Sequence, residues 1–363
     1  MKGGENKTIL WWGRFDASYS RNRILRKILQ NNGYKIIDFI PRISRLGGLE
    51  AFFRVLPEVD MVWVPCFRQT DVVSARRWSA KRGIPLLFDP LISDYDKQVF
   101  ERRKYDAHSI VAKYLRMRES TYIQCADILL ADTPEHASFF VDVLGADRKN
   151  TFVVIVGAEE ELFFPDRSAR GLKTEQDLNQ ERPLDVLFYG SFIPLQGPQY
   201  IAEAIHLYEG PPVSWHFLGD GPLLEQCKAR VKEKDNVFFE KWTPYDSLPE
   251  RIHRADILLG IFGDTPKTQR VIPNKVYQAI ASGKPVITAK TPAYPSSLTA
   301  DDGNGFIWVP AASPEHIARA VACLAKNSEK IRLAGQAARV SFDHHFSYKV
   351  IDKQLYEAME HLS

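Results

Sequence analysis

Ile261-Phe262-Gly263-Asp264-Thr265-Pro266-Lys267-Thr268-Gln269-Arg270-Val271-Ile272-Pro273-Asn274-Lys275-Val276-Tyr277-Gln278-Ala279-Ile280-Ala281-Ser282-Gly283-Lys284-Pro285-Val286-Ile287 reads as a strand end, a polar loop, a short helix and the next strand. Asn274 is the expected cap of the helix, and Gly283 closes it. Lys275 stands in the first helical turn, where a cation opposes the dipole. A lysine placed there either holds an anion against the helix N-terminus or is a solvated surface charge.

The same strand–helix alternation extends in both directions. Downstream of position 183, strands are expected at 185–189, 213–218, 236–239, 257–262, 285–288 and 305–309, with helices near 197–207, 223–233, 274–282 and 314–326. Upstream, apolar runs at 8–12, 35–40, 60–64, 85–88, 127–131 and 151–156 are too continuous for half-exposed strands. They fit parallel strands buried on both faces. Asn22 to Gln30 reads as a helix after the first strand, with Ser20 as its expected cap. The polar stretch 166–182 separates two α/β units, and 348–361 has the apolar spacing of a last helix.

Length agrees with two domains, because 363 residues exceed what one hydrophobic core usually serves. The composition, 45% hydrophobic and 26% charged, is that of a globular protein. Cys66, Cys125, Cys227 and Cys323 have no C-x-x-C spacing and read as reduced core residues, which argues against structural zinc. No apolar run approaches a membrane span, and the first five residues carry no signal segment, so the expected location is the cytoplasm. Residues 1–165 hold 25 basic and 21 acidic residues, a balance of +4. That is too little for a nucleic-acid partner, and leaves open peripheral contact with the cytoplasmic (inner) membrane.

Several residues are candidates for chemistry. Asp89 ends a buried strand and is either a catalytic or hydroxyl-binding acid or an Asp-Pro turn. Arg21 and Arg23 sit unfavourably at a helix start, which points to an anionic partner or to an ion pair with Asp16 or Asp89. Thr133 and Ser313 precede Pro-Glu-His and read as helix caps. Tyr189-Gly190-Ser191-Phe192-Ile193-Pro194-Leu195-Gln196-Gly197 is a glycine turn opening a helix, suited to an anion. Gly219-Asp220-Gly221-Pro222 is a second tight turn, and Trp242 either flanks a base or belongs to the core. There is no G-x-G-x-x-G fingerprint and no Ser/His/Asp set.

At these segments the chain resembles the family-4 (group 1) glycosyltransferases. The resemblance runs in order over nearly the whole chain and is closest at 190–197, 219–222, 255–259, 273–287 and 303–309. It implies an α/β GT-B fold, two Rossmann-like domains facing a central cleft. The expected division is an acceptor domain at 1–165, a linker at 166–182, a nucleotide-sugar domain at 183–345, and a helix at 346–363 returning to the first domain. The implied reaction moves a hexosyl group from a UDP- or GDP-type nucleotide-sugar to a glycan, lipid-linked or small-molecule acceptor. The anomeric configuration is retained, and neither metal nor cofactor is implied. With that resemblance, Asp89 and Lys275 are the expected catalytic residues. Donor contacts are expected from Gly13, Gly190, Ser191, Phe192, Gln196, Gly197, Gly219, Trp242, Gly263, Lys267, Arg270, Val271, Ile272, Lys275 and Gln278. Acceptor contacts fall to Arg14, Arg21 and Arg23.

The chain departs from the family pattern at informative places. Two glutamates with seven residues between them are replaced by Arg270 and Gln278, and the basic pair of the glycine turn by Ser191 and Gln196. Gln278 retains hydrogen-bonding capacity toward a ribose as a neutral amide, whereas Arg270 accepts no hydrogen bond from a sugar. These losses leave a second reading open, a non-catalytic nucleotide-sugar-binding or partner subunit.

Overall fold

The computed structural model describes residues 7–166, 182–301 and 303–362. Most of the expected linker, the first five residues and Asp302 lie outside the described residues. The chain divides into two compact units, residues 7–157 with 348–362, and residues 158–347.

The first unit is a six-stranded parallel sheet of β1 (Thr8–Trp12), β2 (Lys35–Phe39), β3 (Met61–Val64), β4 (Leu86–Phe88), β5 (Ile128–Ala131) and β6 (Thr151–Val153), in the order β2-β1-β3-β4-β5-β6. Its crossovers carry α1 (Ser20–Asn31), α2 (Gly47–Phe53), α3 (Gln69–Ala80), α4 (Ile110–Ile123) and α5 (Pro134–Asp142). The central strands are buried along their whole length, as continuous apolar runs require when helices cover both faces. Trp11 and Trp63 face each other across the β1–β3 register and stack with centroids 4.9 Å apart.

The second unit repeats the plan with β7 (Leu184–Tyr189), β8 (Val213–Leu218), β9 (Val237–Glu240), β10 (Ile257–Leu259), β11 (Val286–Ala289) and β12 (Phe306–Val309), ordered β12-β11-β10-β7-β8-β9, all parallel. Around it lie α6 (Pro198–His206), α7 (Leu224–Arg230), α8 (Leu248–Arg254), α9 (Asn274–Ala281), α10 (Ser296–Thr299), α11 (Pro314–Ala325) and α12 (Ser328–His345). The last helix, α13 (Tyr348–Glu360), groups with the first unit, where Asp352 accepts a hydrogen bond from Asn32 and Gln354 accepts one from Ile155 N–H.

Local details correct the sequence expectations. α1 starts at Ser20 itself, after Tyr19, with no side-chain cap. Asn274 is the first helical residue of α9 rather than its cap, which is Pro273. Thr133 caps α5 by accepting from His136 N–H, whereas the Ser313 hydroxyl donates to Glu315 Oε2 and stands 2.6 Å from His316 Nδ1. Cys66 and Cys227 are buried, but Cys323 is exposed on α11 and is not a core residue.

Candidate functional site

In the second unit the sheet order reverses at β7, whose neighbours are β8 and β10. A crevice beyond the carboxyl ends of the strands forms at such a reversal. The turns after β7, β8 and β10 interlock there. A Cβ on Gly219, at φ +137°, would stand 2.1 Å from the Gly190 carbonyl oxygen, so only glycine lets these two strand ends approach. Gly197 and Gly263 bring the other turns equally close: added Cβ atoms would lie 2.8 Å from Gly263 N and 2.3 Å from Pro194 O.

Against this frame stands Lys275, on the first turn of α9. Its side chain is buried, and its ammonium lies 3.7 Å from the centroid of the Phe188 ring. A Cβ on Gly190 would come within 3.3 Å of the Lys275 Nζ and 3.5 Å of the Gln196 Oε1. Neither of those polar atoms has a hydrogen-bond partner among the described residues. Burial holds the ammonium well below the usual lysine range. An ammonium with no anion beside it costs several kcal/mol, of which a desolvated ring face returns about 2. Gly190 is thus flanked by two buried polar atoms, Lys275 Nζ and Gln196 Oε1, that the rest of the described chain leaves unbonded.

A hydrogen-bonded chain runs behind Lys275. Tyr189 donates its hydroxyl toward Gln278 Oε1 at 3.0 Å and the Lys275 carbonyl at 3.1 Å. Gln278 Nε2 donates to the Tyr245 hydroxyl at 3.2 Å, which donates to Glu159 Oε2 at 2.6 Å. Both ends of the Gln278 amide, expected to contact a ribose, are thus engaged inside the unit. Tyr245 and Glu159 were not legible as site residues: each is far from Gln278 in sequence, and Gly157-Ala158-Glu159, with Phe164-Pro165, reads only as resembling the family's crossing before the linker.

The other donor candidates are scattered in character. Phe192 packs in the core against Phe188 and Phe217, and its N–H is taken by the Asp220 carbonyl, which removes it as an anion donor. The amides of Gln196 and Gly197 bond to the Ile193 carbonyl. Among the described residues no hydrogen bond takes the N–H of Ser191, Val271 or Ile272. Lys267 is buried in the 3₁₀ turn Pro266–Gln269 and Arg270 is half-buried beyond it. Trp242, 53% exposed past the end of β9, is not a core residue.

In the first unit Arg21 and Asp89 form a completely buried ion pair, Nε to Oδ2 at 2.7 Å, and Arg21 Nη1 donates to the carbonyls of Val154 and Ile155. Asp89, the expected catalytic acid, and Arg21, an expected acceptor contact, have no exposed surface and tie α1 to the ends of β4 and β6. Their neighbour Asp132 accepts from, or shares a proton with, His136 Nδ1 at 2.6 Å. Gly13 is buried and gives its N–H to the Phe39 carbonyl. Arg14 is exposed and Arg23 half-buried. Among the described residues no group of three or more His, Cys, Asp or Glu is placed to hold a metal, and no helix is long and apolar enough to cross a membrane.

Residues 183–327 match the family model described as Glycosyl transferases group 1. Over 228 residues the chain is 24% identical to spore coat protein SA of Bacillus subtilis (strain 168), covering 59% of each chain. Over 234 residues it is 26% identical to D-inositol 3-phosphate glycosyltransferase of Streptomyces bingchenggensis, covering 61% of this chain and 50% of that one. The match thus spans only between half and three-fifths of these two relatives. Among solved structures, HepE of Anabaena in complex with UDP superposes with a TM-score of 0.68 at 16% identity, covering 98% of this chain and 99% of that one. Sucrose-phosphate synthase of Thermosynechococcus elongatus gives 0.74 at 15% identity, with the same coverage. At these identities the likeness is one of fold, and that fold is GT-B.

Proposed function

We propose that this chain, a group 1 glycosyltransferase of the GT-B fold, moves a hexosyl group from a UDP- or GDP-type nucleotide-sugar to a glycan, lipid-linked or small-molecule hydroxyl with retained anomeric configuration. The observation that carries the reading is the buried ammonium of Lys275, held beside Gly190 and Gln196 with no anion next to it. A diphosphate is an anion that would compensate this buried cation. As the glycosidic bond to the donor breaks, negative charge gathers on the departing diphosphate, and a fixed cation in a dry site stabilises that charge more than the ground state. The amides of Ser191, Val271 and Ile272 supply further donors of the same sign. Lys275 does here what a divalent cation does in other transferases, so the reaction runs without metal. Tyr189, Gln278, Tyr245 and Glu159 hold the first turn of α9 in place, and Arg14 and Arg23 are left as the acceptor contacts of the first unit. The chain acts in the cytoplasm, in peripheral contact with the membrane.

A second reading, a nucleotide-sugar-binding subunit without turnover, is favoured by one observation: the Gln278 amide is spent on Tyr189 and Tyr245. One experiment separates the two. Thermal shifts with UDP, GDP and their sugar conjugates identify the nucleotide, since a ligand at a hundred times its Kd adds about 2.7 kcal/mol. Release of nucleoside diphosphate in EDTA with an acceptor panel then reports turnover. Stabilisation with no release supports the binding subunit, and no stabilisation by any nucleotide refutes both.

A further inference from the structure

The most apolar exposed surface of the first unit lies on and around α2. Leu49, Phe52 and Phe53 occupy one face of that helix at i, i+3 and i+4, and Ile43, Leu46 and Val55 extend the face at both ends. Phe52 is 68% exposed and Phe53 77%, so these two rings protrude as a ridge, beside a surface depression that Val55 and Arg54 help to line. Soluble proteins rarely leave so much contiguous apolar surface in water without a partner for it.

The inner face of the same helix is firmly seated. Gly47 packs where a Cβ would meet Pro41, Ser74 and Trp12 at 3.1–3.2 Å, and a Cβ on Gly48 would strike the Ser74 carbonyl at 2.8 Å. Ser74 Oγ donates to the Ser44 carbonyl, and Arg68 reaches Ser44 Oγ. α2 is thus fixed on α3 by its small residues, and the outward phenylalanines contribute nothing to that packing.

Charge decides what the ridge fits. Three exposed arginines, Arg42, Arg45 and Arg54, are interleaved with the apolar side chains. The single acid among them, half-buried Glu50, accepts from Arg42 N–H and pairs with the Arg54 guanidinium. Protruding Phe and Leu flanked by arginine is the chemistry of a helix lying in a bilayer interface. The apolar tips enter the acyl boundary, and the guanidiniums pair with anionic headgroups. A protein partner would need a groove matching this convex edge, whereas headgroups deform around it. We infer that the α2 ridge docks the chain on an anionic lipid bilayer. This deepens the membrane-contact part of the proposed function and is independent of its donor chemistry.

The test is co-sedimentation of the full chain with phosphatidylcholine vesicles and with vesicles of equal parts phosphatidylcholine and phosphatidylglycerol. Binding is expected to the anionic vesicles, to weaken with salt, and to fall roughly tenfold or more in a Phe52→Ser/Phe53→Ser variant. Arg42→Gln/Arg45→Gln should lower binding to anionic vesicles and remove its salt dependence. Melting temperature and nucleotide binding serve as controls and should not move, since none of these side chains packs in the core. The inference is overturned if the wild-type chain ignores anionic vesicles or if the phenylalanine variant binds as the wild type does. It is equally overturned if Tyr114→Ser/Met117→Ser on the exposed face of α4 removes binding in its place. A dimer that the phenylalanine variant dissolves, without vesicle binding, assigns the ridge to a second copy and also overturns it. Failure of nucleotide binding in the control would contradict the donor reading alone.

Discussion

Lys275 holds its ammonium 3.7 Å from the centre of the Phe188 ring, where burial removes water and no described side chain supplies a counter-charge. The ring belongs to the last two residues of strand β7 and the lysine to the first turn of α9, so the sheet reversal itself brings them together. A fold that leaves a cation in this state is less stable than it would be with an apolar residue of similar length. The cost is recovered when an anion enters.

Lys275→Met is accordingly expected to raise stability, by about 1–4 kcal/mol, because it removes an uncompensated buried charge. The sign depends on pH. Burial depresses the folded-state pKa below the unfolded value, so the charge costs stability fully below the folded pKa, and the cost fades as pH rises toward 10.5. The melting-temperature gain of the variant over wild type should therefore shrink toward alkaline pH. A gain independent of pH would mean that the ammonium is not the origin of the cost.

Diphosphate binding should restore the lysine to its charged form. Titration calorimetry of UDP or GDP in buffers of different ionisation enthalpy should report net proton uptake above the depressed pKa, and none for Lys275→Met. Proton uptake that persists in the variant would place the titrating group elsewhere.

Gln278 stands where the family resemblance implies a glutamate, and the hydrogen-bond chain explains why glutamate would be disfavoured here. The Tyr245 proton is already given to Glu159, so a second carboxylate at 278 would face an acceptor with no donor. Gln278→Glu is expected to cost about 1–3 kcal/mol at neutral pH. The new carboxyl, buried beside another, has its pKa raised, so its cost is absent below about pH 4 and appears as pH rises through the folded value. Denaturant midpoints at pH 4 and 7 decide the matter, and equal midpoints for variant and wild type at pH 7 would contradict it.

Asp89→Asn tests the role of the Arg21 pair. Breaking a buried, hydrogen-bonded ion pair costs about 3–5 kcal/mol, and that loss should appear in the melting temperature of the first unit. Full stability with lost turnover would return Asp89 to the reacting centre.

Both sheets were legible in the sequence because their strands are buried on two faces and write continuous apolar runs; β1 and β8 have the expected limits. Helix starts were less legible. Ser20 and Asn274 are good capping residues, yet the preceding backbone at Tyr19 and Pro273 is already extended, so both residues enter the helix. At the site, Lys275 was visible from its unfavourable place in the dipole. The Arg21–Asp89 pair was visible only as one of several options, because strand-end acids serve substrates and ion pairs alike. The link of Tyr245 and Glu159 to Gln278 left no sequence signal, because it exists only through the folded loop after β9.

The most direct measurement is the Kd of the nucleoside diphosphate identified by the thermal screen, taken at neutral pH in EDTA for wild type and for Lys275→Met. The expected result is metal-free binding that weakens by roughly 30- to 1000-fold in the variant, the equivalent of about 2–4 kcal/mol, while the variant melts no lower than wild type. Equal affinity in the two proteins, or binding that appears only when magnesium or manganese is added, would contradict the assignment of the diphosphate to Lys275.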